Sequence, residues 1–212
     1  MVTTPKPARL EPATDDGLQV GKILAEMRRT NGWTLAEMSR RTGVSISALS
    51  KIENGQSQPA YSVLTRLAAG LDIDFVDLLG GGRQSRFAGQ ARAITRSGTG
   101  THLRNEMGLY EMLATDLAAK SLQPMLIDVQ PRAPDSPGVR SAHRGEEFVY
   151  VVEGEVVFEM SPYAPVTLSA GDSVYFDGNM DHGFFAVGNA PGRILSVCYA
   201  SAASGDEGAG GK

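Results

Sequence analysis

The sequence predicts a chain of the α+β multidomain class, in which an all-α N-terminal domain is followed by an all-β C-terminal domain. Three observations predict this division. Apolar residues recur at helical spacing over residues 18–79, and from about residue 124 they alternate with polar residues in short strand-like runs. Between these two patterns stand three consecutive glycines, residues 80–82, which cannot hold a helix.

The same patterns predict the boundaries of five segments. These are a disordered arm over residues 1–16, the helical domain over 17–79, a linker over 80–91, the β domain over 92–200 and a disordered tail over 201–212. Several short strands at close spacing, without intervening helices, favour an antiparallel sandwich or barrel for the β domain.

Composition and charge narrow the class of protein further. No apolar run approaches the ~18–20 residues of a membrane span, and the N-terminus lacks the apolar centre of a signal peptide. We therefore expect a cytoplasmic protein without a membrane partner. The single cysteine, Cys198, excludes an internal disulfide and a cysteine-rich metal cage. Residues 17–66 carry a net charge of +4 although the whole chain is at −4, so a small basic domain is joined to an acidic one.

Two short helices joined by a tight turn are predicted within the helical domain. Thr34 can cap the first helix, with Glu37 completing a capping box, and Gly43 ends that helix because the turn needs a positive φ. Ser45 can cap the second helix, which continues to about Glu53. The outer face of this second helix carries polar side chains.

This pair of helices resembles the helix-turn-helix of the XRE (lambda-repressor-like) family of transcriptional regulators, and the resemblance extends over about residues 18–79. The matching residues are Leu35, Met38, Ser39, Gly43, Val44, Ser47, Leu49, Ile52, Glu53, Asn54 and Gly55. In that family the second helix enters the major groove of DNA, and its N-terminal face meets base edges. The resemblance implies a sequence-specific regulator whose partner is double-stranded DNA.

Carried onto this sequence, the resemblance indicates two sets of candidate DNA-binding residues. Candidates for base contacts are Ser47, Ala48 and Lys51, with Ser45 and Ser50 beside them; candidates for phosphate contacts are Thr34, Arg40, Arg41 and Asn54. The alternative is that these polar groups form only a solvated face. One such domain offers too few base contacts for the roughly 4–10 kcal/mol that specific binding requires. We therefore expect a homodimer on a near-palindromic operator.

Two segments of the β domain carry the remaining chemistry. The stretch "RSAHRGEEFVYVVEGEV" places a histidine four residues before a glutamate, and "SAGDSVYFDGNMDHGFF" places a Gly-Asp turn ahead of another histidine. These segments resemble the two motifs of the cupin family, which are small β-barrels of the jelly-roll type. The matching residues are His143, Glu147 and Gly154 in the first motif, and Gly171, Asp172 and His182 in the second. The resemblance covers about residues 124–200, and residues 92–119 are expected to add strands.

Metal-binding cupins usually supply two histidines and a glutamate from the first motif and a third histidine from the second. This sequence departs from the family pattern, because Ser141 stands where the first histidine is expected. The remaining candidates, His143, Glu147 and His182, can hold one divalent ion such as Zn, Fe, Ni or Mn and leave positions open for a small molecule. Two other interpretations stay open. The same groups can hydrogen-bond an organic effector without metal, or they can merely satisfy the polar interior of the barrel.

A barrel of this size can hold one small molecule in its interior. The candidate effector-binding residues are Arg140, Ser141, His143, Glu147, Tyr150, Tyr175, His182 and Phe184. The sequence thus predicts a transcriptional regulator, not an enzyme, whose operator binding is modulated by an effector bound in a cupin domain, with or without a metal ion. Two alternatives remain: a metal-dependent cupin enzyme of the dioxygenase or isomerase type fused to a DNA-binding domain, and a barrel that only dimerises. The incomplete ligand set counts against the enzyme.

Overall fold

The structure, a computed structural model, describes residues 16–80, 85–87, 90–133 and 136–199. The predicted disordered arm and tail therefore lie outside the described residues, apart from Asp16, which begins the first helix. Half of the predicted linker over residues 80–91, namely residues 81–84, 88 and 89, also lies outside them. Two of its residues form a short strand, Ser85–Arg86, that pairs in parallel with Leu117–Ala118.

The N-terminal domain is helical, as the sequence predicts. Its elements are α1 (Asp16–Thr30), α2 (Leu35–Thr42), α3 (Ile46–Glu53), α4 (Tyr61–Leu71) and a 3₁₀ turn (Asp77–Leu79). The Thr34 hydroxyl accepts a hydrogen bond from the Glu37 backbone N–H at 3.1 Å, and Gly43 ends α2 in the left-handed conformation with φ 67°. Half of the predicted capping box is present, because the Glu37 carboxylate pairs with Arg40 and Arg41 instead of reaching back to the cap.

The C-terminal domain is built from strands that pair antiparallel, except for the short parallel pair β1 and β4. They are β1 (Ser85–Arg86), β2 (Thr101–Arg104), β3 (Gly108–Met112), β4 (Leu117–Ala118), β5 (Leu122–Val129), β6 (Glu146–Glu153), β7 (Glu155–Met160), β8 (Val166–Ser169), β9 (Ser173–Asp177), β10 (His182–Ala186) and β11 (Gly192–Tyr199). A six-stranded sheet has the order β2-β3-β5-β11-β6-β9, and a three-stranded sheet has the order β10-β7-β8.

The two sheets pack face to face around apolar side chains, which gives the cupin-type barrel. Phe158 of β7 contacts Phe176 of β9, with ring centroids 4.9 Å apart, and it stacks on Phe184 of β10 at 4.8 Å. Alternation along β6 decides which groups enter the barrel: Glu147, Val149 and Val151 are buried, whereas the residues between them are exposed. The strand period of two therefore turns the glutamate of the first motif into the interior.

The helical domain and the barrel are in direct contact. One continuous cluster of buried apolar side chains extends from α1–α4 into the barrel. The backbone N–H of Ala119 in the barrel also donates a hydrogen bond to the Asp74 carboxylate, which follows α4. In the described part of the chain, no helix has both the length and the apolar character of a membrane span.

Candidate functional site

The second helix of the helix-turn-helix, α3, is fixed from three sides. Ser45 caps its N-terminus by accepting a hydrogen bond from the Ala48 backbone N–H at 3.2 Å. Leu49 and Ile52 are buried in the domain core. At the other end, the Arg28 guanidinium of α1 donates two hydrogen bonds to the Glu53 carboxylate, at 2.8 and 2.9 Å, and this pairing raises the pKa of Arg28. The helix therefore presents its outer face as a rigid unit.

The predicted base-contacting residues are not all equivalent on this helix. Ser45, Ser47 and Lys51 are exposed, whereas Ser50 is half-buried. Ala48 is also half-buried, and it lines a cleft beside the barrel together with Ile52, so its methyl group lies away from the outer face predicted for it. Ile46, at the start of α3, is 50% exposed, although an isoleucine in a helix suggests a core position.

The predicted phosphate-contacting residues all lie on the surface around α2 and α3. Thr34 and Asn54 are exposed, and both also bond to the backbone, Thr34 as the cap of α2 and Asn54 by donating to the Ser50 carbonyl at 2.8 Å. Arg40 and Arg41 are exposed and share the Glu37 carboxylate. Arg41 also lies over the Trp33 ring, 4.4 Å from its centroid. These contacts hold the arginines in place on the surface.

The three predicted metal ligands converge inside the barrel. Oε2 of Glu147 lies 2.9 Å from Nε2 of His143 and 3.4 Å from Nε2 of His182. The loop carrying His143 is pinned by backbone hydrogen bonds, from His143 N to the Gly178 carbonyl and between Ser141 and His182 in both directions. A side chain at Gly178 would collide with the His143 ring, since a Cβ there would lie 2.6 Å from Cε1.

Two further side chains from β11 complete this group, and sequence reasoning did not assign them to it. The Ser196 hydroxyl donates a hydrogen bond to Oε1 of Glu147 at 2.7 Å, and Sγ of Cys198 lies 3.9 Å from Nε2 of His143. The ligand atoms of His143, Glu147 and Cys198 all lie within 4.8 Å of one another. The signal was the alternation of β11, which places Cys198 directly opposite Glu147 across the strand pair.

The electrostatics of this group depend on the Glu147 carboxylate. Burial raises its pKa, but hydrogen bonds from His143 and His182 outweigh burial and hold the pKa at about 2. For Cys198, burial raises the pKa of the thiol, and the neighbouring Glu147 carboxylate raises it further. The barrel interior thus contains a fixed negative charge beside a neutral thiol.

The hydrogen-bonding pattern of the His182 ring indicates that a positive charge must lie beside the Glu147 carboxylate. Nδ1 lies 2.7 Å from the Met180 carbonyl oxygen, so it must carry a proton and donate. In a neutral imidazole the other nitrogen, Nε2, then presents a lone pair to the Glu147 carboxylate oxygen. Two acceptors 3.4 Å apart repel each other unless a second proton on His182 or a metal ion lies between them.

The donor set fits a divalent metal ion. Ligands bound to zinc at about 2.0–2.1 Å with tetrahedral angles lie roughly 3.3 Å apart, close to the separations of Glu147 from the two histidines. The bond from His182 to the Met180 carbonyl is the outer-shell contact that orients metal-ligating histidines. Ser141 stands where the family places another histidine, and among the described residues its buried hydroxyl has no hydrogen-bond partner.

The predicted wall residues of the pocket divide into two groups. Ser141 and Phe184 line the cavity with the two histidines and the glutamate. Tyr150 and Tyr175 do not, and the prediction that they line the pocket is wrong: the period of two on β6 and β9 turns them to the outer surface. Arg140 also lies outside the lining, because its guanidinium is paired with Asp181 and Glu159.

The wall of the cavity is completed by a residue of the helical domain. Tyr61, the first residue of α4, is 8% exposed, and its ring meets the His143 ring edge-on with centroids 5.1 Å apart. Burial raises the pKa of Tyr61 well above its ordinary value, and the adjacent Cys198 and Glu147 raise it further. The sequence offers no signal for this contact, because it depends on how the two domains pack.

With Tyr61 in this position, the barrel cavity is small. It measures about 30 Å³. A water molecule needs roughly 10–15 Å³ on this scale, so the cavity accepts about two waters, or one metal ion with a water. Pockets for organic ligands typically span about 300–1,000 Å³. The cavity in this conformation is therefore too small for an organic effector.

Two family models match the chain in the same order as its two domains. Residues 24–78 match a helix-turn-helix family, and residues 125–198 match the cupin domain family. These ranges coincide with the helical domain and with the strands that carry the histidine–glutamate group.

Comparison with known proteins finds both regulators and an enzyme. The chain is 24% identical over 184 residues to the HTH-type transcriptional regulator PuuR of Escherichia coli, a match that covers 87% of this chain and 96% of PuuR. It is 37% identical over 60 residues to the uncharacterized HTH-type transcriptional regulator y4dJ of Sinorhizobium fredii, covering 28% of this chain and 78% of y4dJ. It is also 29% identical over 95 residues to the (S)-2-hydroxypropylphosphonic acid epoxidase of Streptomyces wedmorensis, covering 43% of this chain and 48% of the epoxidase.

PuuR and y4dJ are regulators, and the match to PuuR spans the length of both domains. An exposed, capped second helix in the N-terminal domain is the feature through which such domains bind DNA. The chain belongs to the helix-turn-helix family of transcriptional regulators, with an XRE-type DNA-binding domain at its N-terminus and a cupin domain at its C-terminus.

Proposed function

We propose that this regulator is ligand-responsive and acts in the cytoplasm without catalysing a reaction. As a homodimer, it reads a near-palindromic operator through the exposed face of α3. The cupin cavity binds a small-molecule effector, and the state of the cavity sets the position of the DNA-binding domain through Tyr61.

The observation that carries this proposal is the place of Tyr61 in both domains. Its ring contacts Phe75 within the helical domain, with centroids 5.4 Å apart, and it also contacts His143 in the barrel. It is the first residue of α4, whose Leu64 and Leu67 are fully buried in the core that also holds Leu49 of α3. A movement of Tyr61 out of the barrel therefore displaces α4, which packs on α2, and α2 in turn packs on the recognition helix.

The small size of the cavity couples effector binding to the position of the helical domain. An organic effector does not fit beside His143 and Glu147 while Tyr61 occupies the wall, so its binding favours a conformation in which Tyr61 has withdrawn. Operator DNA that prefers one position of the helical domain then changes the affinity for the effector, and the effector changes the affinity for DNA by the same factor. No direct contact between effector and DNA is required.

A metal ion fits the same scheme as a small, permanent occupant. His143 and Glu147 would hold it together with Cys198, once the thiol loses a proton, and His182 is a further candidate ligand because it lies 3.4 Å from Oε2 of Glu147. A bound divalent ion supplies a Lewis-acidic position that an oxygen of the effector can occupy. This chain's own contribution is to orient His182 through the Met180 carbonyl and Glu147 through the Ser196 hydroxyl.

A second candidate is a metal-dependent cupin enzyme regulated by its DNA-binding domain. Two observations favour it: the convergence of two histidines and a carboxylate, and the partial similarity to an epoxidase. The contacts of Tyr61 in both domains favour the regulator instead, because they connect the cavity to the DNA-binding domain and catalysis needs no such connection. Stoichiometric metal combined with turnover of a small organic acid would favour the enzyme.

DNA recognition is tested by selecting chromosomal fragments with the full-length protein and footprinting those that are retained. We expect protection of a near-palindromic site. Lys51→Glu should abolish protection, because it places a negative charge on the exposed face of α3. The matched control is Lys22→Glu, an equal charge change at an exposed position of α1. Equal loss in both variants, or no protected site for the unmodified protein, would contradict the proposal.

A further inference from the structure

The outer face of the six-stranded sheet carries a contiguous set of apolar side chains. We call it the sheet-face patch; it comprises Leu122, Pro124 and Leu126 on β5, Leu195, Val197 and Tyr199 on β11, Phe148, Tyr150 and Val152 on β6, and Tyr175 on β9. The strand register makes these residues neighbours: Leu122 is paired with Tyr199, Val197 with Phe148, and Phe148 with Tyr175. All ten face away from the barrel interior.

The patch is exposed in spite of its composition. Six of its members, Leu122, Phe148, Tyr150, Val152, Tyr175 and Tyr199, are between 38% and 63% exposed. A strand whose outer face meets water usually carries polar residues there. Here the outer face of β6 carries Phe148, Tyr150 and Val152, and its one charged member, Glu146 at the end of the strand, accepts a hydrogen bond from the Tyr175 hydroxyl. Most of this face is therefore not built for solvent. A large exposed apolar patch on a globular protein marks an interaction site.

The exposed area of the patch supplies more than half of what one partner buries in a typical dimer interface. Aromatic side chains offer ~150–250 Å² each, so the exposed parts of its four aromatics supply about 350 Å², and the two exposed aliphatic residues raise the total to roughly 500 Å². A specific interface buries ~800 Å² per partner, including a polar rim. Enrichment in tyrosine and phenylalanine without charged side chains is also typical of interface centres. The segment that follows Tyr199 is "ASAASGDEGAGGK", which contains no large apolar residue with which to cover the patch.

We infer that the sheet-face patch is the homodimer interface, with a second copy of this chain as its occupant. The inference locates the dimer required by the proposed function, but its evidence is the sheet itself. In a two-fold arrangement the same patch of both copies meets. Val197 and Phe148, at the centre of the β5-β11-β6-β9 face, lie close to the axis, so each meets its own counterpart.

The arrangement is tested by sedimentation velocity on the full-length protein, without DNA or effector. We expect a dimer at micromolar concentration. A glutamate at an apolar position near the axis adds two like charges to a buried centre, so Phe148→Glu should raise the dissociation constant at least thirtyfold. Phe148→Lys should do the same. A mixture of the two variants should restore the dimer, because opposite charges then meet across the axis.

A matched pair of valines provides the control. Val152 and Val187 are 38% and 42% exposed, but only Val152 belongs to the patch, because Val187 follows β10 of the three-stranded sheet. Val152→Glu should weaken the dimer, whereas Val187→Glu should leave it intact. Circular dichroism establishes that each variant is folded. Two results would overturn the inference. The first is an unmodified protein that stays monomeric at high micromolar concentration, in which case its own terminal segments or another protein cover the patch. The second is a dimer that survives Phe148→Glu. A dimer that survives Phe148→Glu overturns only this interface, whereas a monomer would also contradict the homodimer of the proposed function. The effect of Lys51→Glu on DNA binding is measured independently of both results.

Discussion

Replacing Tyr61 with alanine should open the barrel without changing any residue of the barrel itself. The lone cysteine provides the readout. Cys198 is buried in the cavity wall beside Tyr61, and the sequence contains no other thiol that could react. A thiol reagent can therefore reach its target only when the cavity opens, either by movement of Tyr61 or by unfolding of the barrel.

The expected size of the effect follows from the burial of the ring. Tyr61 is 8% exposed, so about 180 Å² of its surface is removed from water, which corresponds to roughly 4 kcal/mol at ~25 cal/mol per Å². If half of this stabilises contact with the barrel, its loss shifts the opening equilibrium by about 2 kcal/mol, or ~30-fold. We therefore expect Cys198 to be alkylated roughly 30 times faster in Tyr61→Ala than in the unmodified protein.

The assay is the rate of alkylation under native conditions, followed by mass spectrometry. Tyr61→Phe keeps the ring and removes only the hydroxyl, so it should stay near the rate of the unmodified protein. Tyr163→Ala, which removes an exposed tyrosine elsewhere in the barrel, controls for non-specific loosening. An unchanged rate in a folded Tyr61→Ala protein would refute the role of Tyr61 as the closing residue.

Three further outcomes are expected from other contacts. His143→Ala should abolish the binding of Zn²⁺ measured by calorimetry. His102→Ala changes the one histidine outside the cavity group and should leave Zn²⁺ binding intact. Equal Zn²⁺ binding by the unmodified protein and both variants would refute the metal site. Ser45→Ala should lower the free energy of unfolding by about 1 kcal/mol, because the first turn of α3 loses its cap, and Ser45→Asp should restore the stability. Chemical denaturation measures both effects. A Ser45→Ala protein of unchanged stability would show that the cap is dispensable. Asp128→Asn should destabilise the barrel by about 3 kcal/mol, because the Arg193 guanidinium loses a buried carboxylate that accepts two of its hydrogen bonds. Thermal unfolding measures this effect, and an unchanged melting temperature would be the contrary result.

Local signals in the sequence were sufficient for the helix-turn-helix. Thr34, Gly43 and Ser45 act where the sequence places them, because caps and left-handed turns depend on neighbouring residues alone. Apolar spacing likewise identified Leu49 and Ile52 as core residues. The orientation of Ala48 could not be obtained in this way, because its cleft is formed by the barrel, far away in the sequence.

The barrel site was predictable where a motif or the strand period fixes direction. His143, Glu147 and His182 meet inside the barrel as expected. Tyr150 and Tyr175 were misplaced as wall residues, although the alternation that buries Glu147 and Phe176 already turns them outward. The same alternation on β11 turns Cys198 inward.

No pattern in the sequence predicts that Tyr61 contacts the barrel cavity. It precedes the nearest barrel residue in the cavity wall by more than forty positions, and its spacing within α4 is that of an ordinary core aromatic. Only the packing of one domain on the other brings its ring to His143. Regulation by a neighbouring domain is therefore the part of the function that requires a tertiary structure.

The coupling between the two domains is tested most directly by measuring the alkylation rate of Cys198 with and without a saturating amount of a selected operator fragment. Because coupling is reciprocal, DNA that fixes the helical domain must change how often Tyr61 leaves the barrel. We expect operator DNA to change the rate several-fold in the unmodified protein and not in Tyr61→Ala. An identical rate with and without bound DNA would contradict the coupling.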